Sequence, residues 1–307
     1  MNSWFLYAII APFLWAVVNI ADQYLIAKYS DREKERSSGG LVIFSSLIGL
    51  LIAGIIFIFT DGLFSIPSLD IALLFLAGLL TVVWIVLYLF TLEIEEVSRV
   101  VPWFLTIPVF GYILGSIFLG ETLSLRQVVG AILVFVGLIV ISINWTETRV
   151  RIKHKPMLYM LLVSLTVAVS GIIFKYVTVE DSFWISSFWE YVGLGTTGVF
   201  IFLCMPKQRR EFIHMNKAGG VRIFLVNVIS EFTSVSGNLL TNFALVLAPA
   251  TLVFIVGSFQ PAFVLLLTII GTYMFPKIMK EDMSWQVLYP KIVAVIVMVI
   301  GSAILFL

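Results

Sequence analysis

Ten long apolar runs constrain this chain more than any other feature of its sequence. Each run approaches the roughly 20 mostly apolar residues that a helix needs to cross the hydrocarbon core of a bilayer. The apolar residues are continuous and do not alternate with polar ones, which favours helices over membrane-spanning strands. The sequence therefore predicts an all-α polytopic membrane protein whose ten transmembrane helices cover residues 3–24, 41–59, 71–92, 100–118, 127–145, 157–179, 183–203, 222–247, 251–276 and 287–307.

The composition excludes several other classes of protein. Hydrophobic residues make up 61% of the 307 residues and charged residues only 12%, whereas a soluble domain is nearer half apolar and a quarter charged. The net charge of +1 argues against nucleic acid as a partner. The single cysteine, Cys204, excludes an intrachain disulfide and a cysteine-built metal site. We expect the protein to lie in the lipid bilayer and to bind no metal and no cofactor.

The basic residues predict how the chain is oriented in the membrane. The loops between consecutive spans are numbered from the N-terminus. Seventeen of the 19 Lys and Arg residues fall in or beside the odd-numbered loops, one of which contains the polar stretch 206–217. Only Arg126 and Lys175 fall on the other side. Because cytoplasmic loops carry the excess of Lys and Arg, the odd loops are predicted to be cytoplasmic and both termini non-cytoplasmic.

The chain also resembles itself. Residues 91–110 align with residues 244–263 without a gap at an offset of 153, and Pro108 then matches Pro261. We predict two five-helix halves, 1–145 and 156–307, joined by a linker at 146–155. An odd number of helices makes the second half enter the membrane in the opposite sense, and such inverted repeats are typical of secondary transporters. The alternative is chance similarity between two apolar stretches.

A motif at the end of the first half resembles a known family. The segment PVFGYILGSIFLGETLSLRQVVGAILVFVGLIVIS (108–142) has a proline-containing helix, a Gly-Glu turn at Gly120 and Glu121, Gln127, and a last helix punctuated by Gly130 and Gly137. This pattern is similar to that of EamA-type transporters of the drug/metabolite transporter (DMT) superfamily. The resemblance implies ten helices, export or import of a small metabolite by alternating access, and a central cavity lined by helices 1, 3, 6 and 8. It also implies a prokaryotic inner (cell) membrane.

Polar residues inside the eighth span mark the clearest candidate site. Asn227, Glu231, Ser234, Asn238 and Asn242 are spaced by 4, 3, 4 and 4 residues, so they share one helical face. A carboxyl and three amides on one face could bind a polar substrate or line a water-filled path. The alternative is hydrogen bonding between helices, a common use of Asn in membranes.

Three other spans contribute candidates. In the seventh, Glu190 shares a face with Ser186, Gly193 and Thr197 and lies deep enough to serve a binding site. The first span carries Asp22, for which the alternative is a pairing with Lys28. The third carries aromatic residues for which packing is the alternative. The candidates of the first and third spans are Trp15, Asn19, Asp22, Trp84 and Tyr88.

Lys175 is the one basic residue well inside a predicted span. It aligns with Lys28 in the repeat, which makes it a candidate for binding an anionic group. The alternative is a surface ion pair with Glu180 or Asp181.

These observations predict a secondary active transporter for a small polar or amphiphilic metabolite. Glu231 or Glu190 would take up a proton or bind a cationic group, and the excess of acids over bases within the spans favours cationic, zwitterionic or neutral substrates. No phosphate-binding loop for ATP and no catalytic grouping is visible, so an enzyme is not expected. The alternative function is a membrane-embedded lipid-head enzyme or a flippase-like protein. The expected partners are the small molecule, the bilayer and protons, in a monomer or a homodimer.

Overall fold

The computed structural model of the protein describes residues 3–33, 38–95, 100–142, 154–178, 182–274 and 284–306. Over these residues the chain consists of helices and short connections, without a strand, and the prediction of an all-α polytopic membrane protein is confirmed. A 3-10 helix at Val101–Thr106 precedes α4. The α-helices are α1 (Ser3–Glu33), α2 (Ser38–Phe59), α3 (Ser68–Leu92), α4 (Ile107–Phe118), α5 (Leu125–Ser142), α6 (His154–Thr178), α7 (Phe183–Cys204), α8 (Pro206–Leu247), α9 (Ala250–Gly257), α10 (Gln260–Met274) and α11 (Trp285–Phe306).

Most of the predicted spans correspond to helices of suitable length. By length and composition, six segments of the described chain could each cross a membrane: Ser3–Asp22, Gly39–Phe59, Ser68–Leu92, His154–Thr178, Phe183–Cys204 and Ala250–Thr272. Three shorter apolar helices, Trp103–Phe118, Leu125–Gly137 and Leu288–Ile304, overlap further predicted spans. The remaining predicted span, 222–247, is the C-terminal part of α8.

The polar stretch before the eighth span is helical, which the sequence did not predict. Helix α8 starts at Pro206 and bends at Gly220, whose φ of 64° and ψ of −178° are almost restricted to glycine. The segment before the bend packs against the start of α2. There the Gly39 amide donates a hydrogen bond to Glu211 Oε2 at 3.1 Å, and the rings of Phe44 and Phe212 are in contact. This segment is therefore anchored to the helical bundle.

The fourth span of each half is broken at the matching position. The 3-10 helix ends at Thr106 and α4 begins at Ile107, while α9 ends at Gly257 and α10 begins at Gln260. Pro108 and Pro261 are each the second residue of the helix that follows the break, where the missing proline N–H is not needed. The two breaks coincide at the offset of 153 found in the sequence.

The helices of the two halves pack in pairs that correspond to each other. Helix α1 packs on α8 as α6 packs on α3, and α1 packs on α10 as α6 packs on α4. Likewise α2 contacts α8 as α7 contacts α3, and the pairs α5 with α11 and α2 with α7 join equivalent helices. Exchanging the two halves thus reproduces these main contacts, as expected for two repeats.

Glycines allow the last helices of the two halves to approach closely. A Cβ on Gly137 would lie 2.7 Å from the Ala294 carbonyl oxygen, and one on Gly301 would lie 2.8 Å from the Gly130 carbonyl oxygen. Small residues permit such backbone contact between membrane helices. The glycine pattern of the sequence motif therefore serves the packing of α5 on α11.

Candidate functional site

A cavity of about 130 Å³, lined by polar and apolar side chains, lies between α1, α2, α3, α4, α6, α8, α9 and α10. Both halves of the chain contribute to its walls. Seven of the eleven sequence-predicted site residues line it: Trp15, Asn19, Asp22, Trp84, Tyr88, Glu231 and Asn238. These residues lie on the faces of α1, α3 and α8 that line the cavity, and their role in binding stays a prediction.

Two carboxyl groups face this cavity. Asp22 of α1 and Glu231 of α8 both line it. The Ser45 hydroxyl of α2 donates a hydrogen bond to Glu231 Oε1. An ionised carboxyl in apolar surroundings is costly unless a proton or a cation neutralises it. The cavity is therefore suited to bind one or the other.

The side-chain amide nitrogen of Asn19 has no hydrogen-bond partner in the described part of the chain. Tyr88 donates its hydroxyl proton to Asn19 Oδ1 at 2.8 Å, which fixes the orientation of the Asn19 amide. Asn19 is only 4% exposed, and its Nδ2 finds no acceptor among the described residues. A buried donor without a partner is unfavourable. A ligand in the cavity could supply the missing acceptor.

Glu190 and Asn242 are buried together outside the cavity lining. Asn242 Nδ2 donates a hydrogen bond to Glu190 Oε2 at 2.7 Å, and each residue is 4% exposed. Asn238 links the Glu190–Asn242 contact to the cavity. It lines the cavity, and its Nδ2 lies 3.5 Å from the hydroxyl of Tyr191, the residue after Glu190. The polar face of the eighth span is thus divided between a cavity wall and a helix–helix contact.

Asn227 is buried away from the cavity as well. It is 3% exposed, and its Nδ2 has no hydrogen-bond partner among the described residues. It lies one helical turn before Glu231 on α8, beyond the part of the helix that lines the cavity. Its position gives it no direct contact with a molecule in the cavity.

Lys175 is likewise outside the cavity and forms an ion pair. Its Nζ lies 2.7 Å from Glu121 Oε1 and donates to the Ala248 carbonyl oxygen at 2.6 Å. Glu121 Oε1 also accepts the Ala250 amide at the start of α9, at 2.9 Å. This cluster joins the loop after α4 to α6 and α9, and so joins the two halves. Glu180 and Asp181, the partners that the sequence suggested, lie outside the described residues, as does the side chain of Lys28.

Sequence reasoning did not single out several residues of the site. Ser45, Thr81 and Ser170 line the cavity, but single hydroxyls occur throughout apolar helices and gave no distinct signal. Gln260 also lines it, and a signal existed, because it precedes Pro261 inside an apolar span. Glu121 was noted as part of the Gly-Glu turn, but not for its pairing with Lys175.

A larger cleft of about 850 Å³ lies between α1, α10 and α11. Its lining is apolar apart from Lys291 and Ser302. It lacks convergent polar groups that could orient a polar metabolite. We therefore place the candidate site in the smaller cavity. Within the part of the chain that the structure describes, no three His, Cys, Asp or Glu side chains group as metal ligands.

Comparison with known proteins agrees with the resemblance found in the sequence. Residues 2–143 match the model of the EamA-like transporter family. A curated protein of Salmonella typhimurium, described as a probable amino-acid metabolite efflux pump, is 34% identical over 158 residues. That alignment covers 48% of this chain and 50% of the relative, so the chain matches about half the length of the relative. The predicted resemblance to EamA-type DMT transporters is confirmed.

A solved crystal structure shares the fold over nearly the whole chain. It superimposes on 97% of this chain and 95% of its own with a TM-score of 0.66, at 12% sequence identity. The likeness extends beyond residues 2–143 and includes the second half of the molecule.

Proposed function

We propose that this chain, whose residues 2–143 match the model of the EamA-like transporter family, is a secondary active transporter. It moves a small polar or amphiphilic metabolite across the membrane by alternating access. The relative from Salmonella typhimurium is described as an efflux pump for amino-acid metabolites, and we propose export of a small metabolite for this chain too. The proposed location is the inner membrane of a prokaryotic cell, with both termini outside the cytoplasm.

One observation carries the proposal: a polar cavity lies between the two halves of an otherwise apolar molecule. Asp22 and Asn19 come from the first half, and Glu231 and Asn238 from the second. Ionisable residues in membrane spans usually face a cavity or a partner, because exposure to lipid costs several kcal/mol. Transporters built from repeats bind their substrates at the interface between the repeats. The position and the chemistry of this cavity support the same role.

The Glu121–Lys175 ion pair supports alternating access. It joins the two halves at the ends of α4, α6 and α8, next to the even-numbered loops that we propose to be external. When the pair is formed, it holds the external ends of these helices together. We propose that it closes the external side of the cavity and separates when the halves move apart.

Coupling to protons is proposed for Glu231. Its carboxyl lines the cavity and accepts a hydrogen bond from Ser45. A carboxyl in this position can be neutralised either by a proton or by a cationic substrate. Alternate binding of the two would link substrate export to proton entry.

Transport by the purified full-length chain in proteoliposomes tests this function. Amino acids and amines are offered with and without an imposed pH gradient. We expect saturable uptake of at least one of these compounds, and we expect the uptake to be faster when the pH gradient is imposed. In the Glu231→Gln variant, the rate of this uptake should decrease about tenfold or more. Asp61→Asn is the matched control, because Asp61 is an exposed carboxyl after the end of α2. Uptake and pH dependence unchanged by Glu231→Gln would contradict the role of Glu231.

A further inference from the structure

We infer that the central cavity selects organic cations: protonated amines on a small apolar or aromatic body that carry a neutral hydrogen-bond acceptor and no carboxylate. The inference rests on the proposed function and names the substrate class of the same site. It is narrower than the range of cationic, zwitterionic and neutral substrates that the sequence alone leaves open.

The charge of the lining favours a cation. Asp22 and Glu231 line the cavity, and its described lining residues include no Lys, Arg or His. Lys175 is bonded to Glu121 and to the Ala248 carbonyl oxygen. A substrate ammonium between the two carboxyls would relieve their repulsion. A substrate carboxylate would add a third negative charge with no basic side chain in the described lining to balance it.

Aromatic rings are the second feature of the cavity that selects the substrate, after the charge of its lining. Trp15, Trp84, Tyr88 and Phe104 line the cavity together with the carboxyls. The ring centroids of Trp84 and Tyr88 are 6.3 Å apart, and those of Tyr88 and Phe104 are 5.6 Å apart. Ring faces attract ammonium groups within roughly 6 Å and also pack against apolar or aromatic bodies. The lining therefore suits both ends of an aromatic amine.

The Asn19 amide is the third feature of the cavity that selects the substrate. Its Oδ1 accepts the Tyr88 hydroxyl, while its buried Nδ2 has no partner among the described residues. That nitrogen can donate to an acceptor on the ligand, such as a carbonyl or a hydroxyl oxygen. A site built to donate a hydrogen bond rejects a ligand that lacks the acceptor.

Three matched compounds separate these contributions. Phenylalaninamide is a cation with a carbonyl acceptor, phenethylamine is a cation without one, and phenylalanine is a zwitterion of nearly the same size as the amide. In proteoliposomes at mildly acidic pH, we expect phenylalaninamide to be taken up about tenfold or more faster than phenylalanine. Phenethylamine should fall between the two.

Variants of the cavity residues test whether these side chains cause the preference among the three compounds. Asp22→Asn and Glu231→Gln should each lower the uptake ratio of phenylalaninamide to phenylalanine, and Asp61→Asn should leave it unchanged. The Asn19→Ala variant should lower the ratio of phenylalaninamide to phenethylamine and retain the preference for cations. A ratio within one variant does not depend on the amount of folded protein.

Ligand-induced thermal stabilisation of the wild-type chain in detergent provides a second measurement. The inference predicts stabilisation by phenylalaninamide at concentrations where phenylalanine has no effect. Uptake and stabilisation by phenylalanine equal to those by phenylalaninamide would overturn the selection of cations and leave the transporter function standing. No saturable uptake of any amino acid or amine would overturn the proposed function. No stabilisation by any of the three compounds would overturn the cation site itself.

Discussion

At the residue scale, Glu190 shows how a carboxyl within a membrane helix can be held by a neighbouring amide outside the cavity lining. Its Oε2 accepts the Asn242 amide at 2.7 Å, and both residues are 4% exposed. The contact joins α7 to α8 beside the cavity. We propose that Glu190 is a positioning residue that orients the face of α8 on which Glu231 and Asn238 lie.

Truncating Glu190 should therefore destabilise the protein more than replacing it with an amide. Glu190→Ala leaves the Asn242 amide buried without its acceptor, at a cost of about 1–3 kcal/mol. Glu190→Gln keeps an oxygen that can accept the same hydrogen bond. Thermal unfolding in detergent should show a clear decrease in Tm for Glu190→Ala and a small one for Glu190→Gln. Equal decreases in the two variants would contradict the proposed role.

The sequence predicted much of the site at this scale, because helical spacing determines which side chains share a face. Asp22 and Asn19 on α1, and Glu231 and Asn238 on α8, were grouped from their spacing, and all four line one cavity. Spacing within one helix cannot tell which neighbouring helix that face meets. The contact between Asn242 and Glu190 and the one between Tyr88 and Asn19 depend on tertiary packing, and neither pairing was predicted.

At the scale of elements, α3 and α7 approach closely through two glycines. A Cβ on Gly78 would lie 2.0 Å from the Glu190 carbonyl oxygen, and a Cβ on Gly193 would lie 2.3 Å from the Phe75 carbonyl oxygen. Such distances require backbone movement if a side chain is added. The approach positions α3, and with it Trp84 and Tyr88, against the second half of the molecule.

A methyl group at this contact should separate the two helices. Gly78→Ala is expected to cost about 1–3 kcal/mol, as overpacking does elsewhere. Gly54→Ala is the matched control, because it adds the same methyl group to an exposed position in α2 with nothing within 4 Å. The Tm in detergent should decrease for Gly78→Ala and stay equal or increase for Gly54→Ala. Similar Tm values for the two variants would contradict the close approach.

The ion pair between Glu121 and Lys175, which joins the two halves, leads to a prediction about the stability of single and double variants. Lys175→Met leaves the Glu121 carboxyl without its charged partner, and the side chains of Lys175 and Glu121 are only 12% and 9% exposed. Removing one partner of a buried pair is more harmful than removing both charges. The double variant Glu121→Gln with Lys175→Met should therefore unfold at a higher temperature than Lys175→Met alone. A Tm for the double variant below that of both single variants would show that the pair does not act as a unit.

Hydropathy predicted the helices that cross the membrane better than the elements beside them. Apolar runs are long because lipid surrounds them, so α2, α3 and α7 could be located from composition alone. The helical segment from Pro206 to the bend at Gly220 is polar, and its contact with α2 through Glu211 depends on tertiary structure. The breaks before Ile107 and Gln260 were signalled only by the neighbouring prolines.

At the scale of the whole molecule, the main helix contacts of the two halves correspond, and the halves enclose one cavity between them. This arrangement supports the proposed domains, 1–145 and 156–307, and a movement of one half against the other. The proposed orientation in the membrane rests on the basic residues of the odd-numbered loops, which predict that the C-terminal end of α7 is cytoplasmic.

The native cysteine tests this orientation. Cys204 is exposed at the end of α7, next to the basic segment that begins at Pro206. A membrane-impermeant maleimide should label it in inverted membrane vesicles and not in intact cells. A cysteine at the exposed position 61, introduced as Asp61→Cys with Cys204→Ser, should give the opposite pattern. Labelling of Cys204 in intact cells would reverse the proposed orientation.

Access to the cavity from both sides of the membrane is the most direct test of the account. Thr81 lines the cavity, and Thr81→Cys is a nearly isosteric change that can be made together with Cys204→Ser. An impermeant thiol reagent is applied to sealed vesicles of each orientation. Alternating access predicts that the cysteine at position 81 is labelled from either side. Labelling from one side only, or from neither, would contradict a transport pathway through this cavity.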